Sequence, residues 1–141
     1  MDKYIDAAES IVGRVAVVAA KQALLGHNIH IVNCEKAVIS GSRINILAHA
    51  DEYRARPGRP TKGPFIPRST DKYVRRIISR MLPRENVRGR DALHRILCYT
   101  GVPEEFKDKK LEKVEGAHFS KLPNYNYITI AEVCQHLGAK R

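Results

Sequence analysis

A short apolar segment at 4–8, a helical pattern from Ile11 to Leu25 and a β-branched run from Asn28 to Cys34 follow one another with only a few residues between them. Strand, helix and strand joined this tightly form a βαβ unit, because two parallel strands need a crossover of a dozen or more residues and the helix supplies it. Within the helical stretch Arg14 and Lys21 are seven apart and share a face with Gln22 close by, while Val12, Val15, Ala16, Ala19 and Ala23 fall largely elsewhere. Ser10 is placed to cap that helix and Gly26 to end it. Ile31 and Val32 are adjacent and both apolar, as a strand covered on its two faces requires. The unit commits the chain to an α/β fold seeded by a parallel sheet.

Further along, Val38 and Ile39 lead into Ser40, Gly41 and Ser42, and a second helix is expected from about Arg43 to Tyr53. Free N–H groups at such a start can hold an anion, but capping is the simpler role for the serines. Four of the seven prolines, Pro57, Pro60, Pro64 and Pro67, then alternate with Arg56, Arg59, Lys62 and Arg68. That composition suits neither sheet nor helix, and residues 54–70 read as an extended basic loop that reaches away from the core and orders on a partner.

Ser69 or Thr70 caps a helix expected from about Asp71 to Leu82. Lys72, Arg75, Arg76, Ser79 and Arg80 fall on one side of it, and Tyr73, Val74, Ile77, Ile78 and Met81 on the other. Pro83 ends it, and Arg84, Arg88, Gly89 and Arg90 make a second basic loop before a helix from Asp91 to Tyr99 with Ala92, Leu93, Ile96 and Leu97 facing the core. Residues 71–100 are thus a basic helix-loop-helix. Lys110 to Val114 reads as a pairing segment, and Thr129 caps a last helix, IAEVCQHL, closed by Gly138.

Charge is the second strong constraint. Residues 54–95 carry thirteen basic side chains against Asp71, Glu85 and Asp91, and the surplus of ten equals the net charge of the whole chain. Arginine supplies eleven of the thirteen, whereas lysine is the commoner cation elsewhere. A guanidinium presents a planar fork that meets phosphate oxygens two at a time and desolvates more readily than an ammonium. A field this concentrated points to nucleic acid. The candidate nucleic-acid-binding residues are Arg56, Arg59, Lys62, Arg68, Lys72, Arg75, Arg76, Arg80, Arg84, Arg88 and Arg90.

Other classes find little support. The longest mostly apolar run, Val15 to Leu25, contains Lys21 and falls short of the roughly 20 residues of a membrane span. No secretion signal is evident in MDKYIDAAES, and the odd, scattered Cys34, Cys98 and Cys134 read as reduced core residues of a cytosolic protein. The chain lacks GxxxxGK[ST], GxGxxG after a strand, GxSxG and HExxH. Asp6 with Glu9, and His27 with His30, have no nucleophile placed beside them. No catalytic residue, metal or cofactor is therefore expected. An enzyme on phosphorylated substrates would have to use Ser40 to Ser42, and a free regulator of messenger RNA would use the same basic surface as a structural nucleic-acid-binding protein.

The run RSTDKYVRRIISRMLPRENVRGRDALHRILCYTGVP resembles the central signature of the ribosomal protein L13 family in its archaeal and eukaryotic branch. An Arg-rich helix (Arg75 to Arg80), Met81-Leu82-Pro83, a basic loop with Arg88-Gly89, an Ala-[LF]-x-Arg-[LI] helix from Ala92 to Ile96 and Gly101 to Pro103 stand in the family's order. IVGRVAVVAAKQALLG, IVNCEKAVISG, GPFIPRS and YITIAEVCQHLGAKR are similar to the first helix, second strand and turn, Gly-Pro-aromatic-x-x-Arg loop and closing helix of the family, so the likeness covers essentially all of 1–141 as one domain of the compact archaeal form. It implies a three-layer α/β/α sandwich on a small, mainly parallel sheet. It also implies a place in the cytoplasmic large ribosomal subunit, beside neighbouring ribosomal proteins, and an early assembly role on large-subunit ribosomal RNA. A regulatory contact with messenger RNA would be a side role. One position departs from the pattern: Ser79 and Arg80 stand where the family commonly has Arg-Gly, so a side-chain contact is expected there in place of a close backbone approach.

Overall fold

The computed structural model, which describes residues 1–56, 58–59 and 61–139, puts the apolar run Asn28–Val32 at the centre of a parallel sheet. In chain order the elements are β1 (Asp2–Asp6), α1 (Val12–Leu24), β2 (Asn28–Val32), β3 (Val38–Ser40), α2 (Arg43–Ala55), α3 (Thr70–Ser79), α4 (Val87–His94), β4 (Ile96–Cys98), β5 (Tyr127–Thr129) and α5 (Ile130–His136). The sheet order is β1-β2-β4, with Ile5 opposite Ile31 and Ile31 opposite Cys98, while β3 and β5 form a separate antiparallel pair. The expected α/β fold with a small, mainly parallel sheet is what the chain forms.

Alternation along the strands decides what each face meets. Ile5, Ile29, Ile31 and Ile96 share one face and pack with Val15, Ala16 and Ala19 of α1 and with Val74 and Ile78 of α3. The alanines on α1 let that helix lie close to the sheet and to α3 and α4. On the opposite face His30 stacks on Tyr4 with ring centroids 5.0 Å apart, and Phe106 and Tyr99 close around them. A second, smaller core of Ala50, Ile128, Val133 and Leu137 joins α2 and α5 to β5.

Several boundaries differ from the sequence expectation. The helix expected from Asp91 to Tyr99 starts at Val87, because Asn86 takes an extended conformation and its carbonyl accepts from the N–H groups of Gly89 and Arg90. Arg88, Gly89 and Arg90 are therefore helical rather than loop residues. The same helix stops at His94, and Ile96–Cys98 pairs with β2 instead. A short apolar run cannot be assigned by periodicity alone, and here the open edge of β2 supplied the hydrogen-bonding partners. Leu97, expected in the core, is consequently 41% exposed.

Smaller shifts have equally local causes. Ser10 is buried, its hydroxyl donates to the Ala8 carbonyl, and Ile11 takes the N-cap position of α1. The segment expected at 110–114 pairs at Glu112 alone, which exchanges backbone hydrogen bonds with Tyr4 and Asp6. Thr129 does cap α5: its Oγ1 accepts from the Glu132 N–H at 3.3 Å and donates to the Glu132 carboxylate at 3.1 Å. The expected basic loop does not stay clear of the core along its whole length, because Ile66 packs against the second core. Pro57 and Pro60 lie outside the described residues.

Candidate nucleic-acid interface

The charged surface is built on α3. Val74 and Ile78 are buried against α1 and the sheet, which fixes the helix and turns Lys72, Arg75, Arg76 and, just past its end, Arg80 outward. Two residues depart from the face expected of them. Ser79 is buried, with its hydroxyl donating to the Arg76 carbonyl at 2.8 Å, and Met81 is 41% exposed rather than packed. Ser79 thus turns its hydroxyl back onto α3 while lining the groove beside that helix, and Arg80 is the exposed side chain at the departure from the family pattern.

Tyr53, near the end of α2, organises these cations and was not singled out in the sequence. Its hydroxyl accepts from Arg76 Nη2 at 3.0 Å and from Arg80 Nη2 at 2.9 Å. The guanidinium carbons of Arg56, Arg80 and Arg76 lie 4.9, 5.3 and 5.7 Å from its ring centre. Burial alone would raise its phenol, but the charge and hydrogen bond of Arg76, with the charges of Arg80 and Arg56, outweigh it and hold the group below the ordinary tyrosine value. Arg76 also donates through Nη1 to the Phe65 carbonyl, so one guanidinium ties α2, α3 and the loop between them.

Around this hub Tyr53, Phe65, Lys72, Arg75, Arg76, Ser79, Arg80, Arg84 and Leu93 line an open groove. A neighbouring hollow is lined by Arg54, Pro64, Phe65, Ile66, Arg68 and Leu137. Arg75 is half-buried: Nη2 donates to the Leu93 carbonyl at 3.2 Å, and Nε is buried without an acceptor. Outside these two depressions, Arg59 and Lys62 are exposed at a turn in which Lys62 N–H donates to the Arg59 carbonyl, and Arg90 is exposed on α4. Arg88 reaches the Leu24 carbonyl at 3.3 Å, at the negative end of the α1 dipole, where Arg95 also meets the Ala23 carbonyl at 3.4 Å.

Among the described residues, none of the thirteen cations is in an ion pair. The ion pairs among the described residues join Arg43 to Glu132, Lys107 to Glu104, His118 to Glu9 and His136 to Asp51, and none includes a cation of residues 54–95. Bringing Arg56, Arg76 and Arg80 to one ring without a carboxylate leaves a positive field that an external anion can neutralise.

The residues an enzyme would need have structural partners. Asp6 accepts from the Ala8 N–H and from Asn33 Nδ2, and His30 sits within the ring stack. Among the described residues no group of three His, Cys, Asp or Glu side chains could hold a metal ion. Cys34 and Cys134 are buried and Cys98 half-buried. Hydrogen bonding to Cys34, together with burial, pushes the Cys98 thiol up, and burial raises Cys134 to about 11.

Comparison with known proteins identifies the family. The family model described as ribosomal protein L13 matches residues 3–105. The large ribosomal subunit protein uL13 of Methanosarcina barkeri is 44% identical over 137 residues, covering 96% of this chain and 97% of the relative. That of Methanococcoides burtonii is 40% identical over 136 residues with the same two coverages, and that of Archaeoglobus fulgidus is 40% identical over 135 residues, 95% of this chain and 86% of the relative. The chain therefore belongs to the ribosomal protein L13 family, a family of structural ribosomal proteins rather than enzymes.

Proposed function

We propose that this protein is a structural constituent of the large ribosomal subunit in the cytoplasm, and that it binds large-subunit ribosomal RNA and helps fold it early in assembly through Arg-rich phosphate contacts. The observation that carries the reading is the gathering of Arg56, Arg76 and Arg80 on Tyr53 with no ion-paired carboxylate among the described residues. Cations held in place before the partner arrives lose less rotamer freedom on binding, so more of the electrostatic attraction is retained. The contacts would go to phosphates and 2′-hydroxyls of folded RNA and follow its shape rather than its sequence. Arg56, Arg59, Lys62, Arg68, Lys72, Arg75, Arg76, Arg80, Arg84, Arg88 and Arg90 would make them, with neighbouring ribosomal proteins meeting other faces.

The test is co-sedimentation of the tagged chain with large subunits across a salt series, beside a variant carrying Arg75→Glu and Arg76→Glu. Incorporation of the parent and its loss in the variant is the expected result. A parent that stays in the light fractions even at low salt would remove the ribosomal reading and turn attention to messenger RNA on the same surface.

A further inference from the structure

Phe65 is 65% exposed in the middle of the most basic part of the chain. A single exposed ring is ordinary on a protein surface, but this one is held in position. Its carbonyl is bound by Arg76 Nη1, and its ring lies against Gly63, where a Cβ would come within 3.1 Å of ring atom Cδ2. Gly63 also has φ +94°, so a larger residue is doubly unwelcome beneath the ring.

The surroundings of the ring indicate what it would meet. Phe65 forms part of the wall of both cationic depressions: Lys72, Arg76, Arg80 and Arg84 lie in one, and Arg54 and Arg68 in the other. Tyr53, the other aromatic residue of the groove, is already engaged by Arg56, Arg76 and Arg80. The Phe65 face is the one left open. A flat apolar ring between two groups of cations has the make-up of a single-strand groove, where cations track the backbone and aromatic faces take the bases.

We propose that Phe65 is a stacking platform for one unpaired base of the bound RNA, with the phosphates on either side of that nucleotide held in the two cationic depressions. This rests on the RNA-binding reading above and adds to it a specific subsite: the protein would recognise a strand whose base is splayed out, and not only a duplex backbone.

The experiment measures binding to two 12-residue probes of equal charge. One is oligoadenylate RNA with a central 2-aminopurine, and the other is the same ribose-phosphate strand without bases. The wild type should bind the base-bearing strand more tightly and quench its fluorescence. Phe65→Leu should weaken that binding roughly tenfold, abolish the quenching and leave the abasic strand unaffected, while Phe65→Tyr should behave as wild type. Unchanged binding of the base-bearing strand by Phe65→Leu, as when the ring packs on a protein neighbour, would overturn the subsite. An equal loss on both probes would overturn it too, since the ring would then act only by shaping the loop. If the wild type bound neither probe at low salt yet still co-sedimented with large subunits, the subsite would fall and the RNA-binding reading would stand; failure in both assays would remove the two together.

Discussion

Arg80 donates to the Tyr53 hydroxyl at 2.9 Å, joining the end of α3 to α2 across the basic loop. Tyr53→Phe keeps the ring for the three guanidinium groups but removes the acceptor shared by Arg76 and Arg80. The expected cost is about 1 kcal/mol of stability, since the site is partly solvated, together with weaker RNA binding as the two arginines lose their orientation. Urea denaturation and a binding titration of the same variant measure both.

The same phenol should be visible by its titration. Its folded-state pKa lies below the ordinary tyrosine value, so the folded state binds the proton less tightly than the unfolded chain. The linked stabilisation is present above the unfolded tyrosine pKa and is lost as pH falls through the depressed folded value. Ultraviolet titration should show one tyrosine ionising early in the wild type and none early in Tyr53→Phe, and added salt should shrink the difference.

Gly89 lies in the first turn of α4, where a Cβ would come within 2.0 Å of the Pro83 carbonyl oxygen. The obstacle is backbone and cannot swing aside. Gly89→Ala should destabilise the protein by about 1–3 kcal/mol even though alanine favours helix, and a lowered thermal midpoint would register it.

Thr129→Ala removes the side chain that caps α5 and bonds Glu132 in both directions. A loss of about 1 kcal/mol is expected, with Thr129→Ser retaining most of it, measured by denaturant midpoint.

The thiols should resist modification in the folded protein. Cys134 is buried with its pKa raised to about 11, and Cys98 is also pushed up. At pH 8 a disulfide reagent should react slowly with native protein and release three equivalents from the unfolded chain.

Much of the fold was legible because periodicity and punctuation agreed: the βαβ unit, the amphipathic α3 and the Thr129 cap all carry strong local patterns. The misreadings fall where a short segment had two solutions of similar local merit. Ile96–Cys98 has the residues of a helix end or of a strand, and only pairing with β2 chooses. No element is expected from the sequence at 127–128, and Tyr127–Thr129 forms a strand because β3 lies opposite. At the candidate site, the sequence gives the location of the cations but not their organiser. Tyr53 is one of six tyrosines, and its role depends on α2 and α3 bringing residues 23 and 27 positions apart into contact. A tyrosine bordering an Arg-rich stretch is the one signal that could have drawn attention to it.

β2 ends at Val32 and β4 begins at Ile96, and the two are hydrogen-bonded neighbours. All thirteen cations of the basic stretch lie between them, so nearly all of the net charge of the chain sits inside a single connection that must close before the third strand can dock. Mutual repulsion among those charges works against that closure, in addition to the entropy of closing so long a segment. Completion of the sheet is therefore coupled to the ionic surroundings: salt, or a polyanion lying along the loop, lowers the electrostatic work of folding, and the chain reaches its native topology most readily where the negative charge already is.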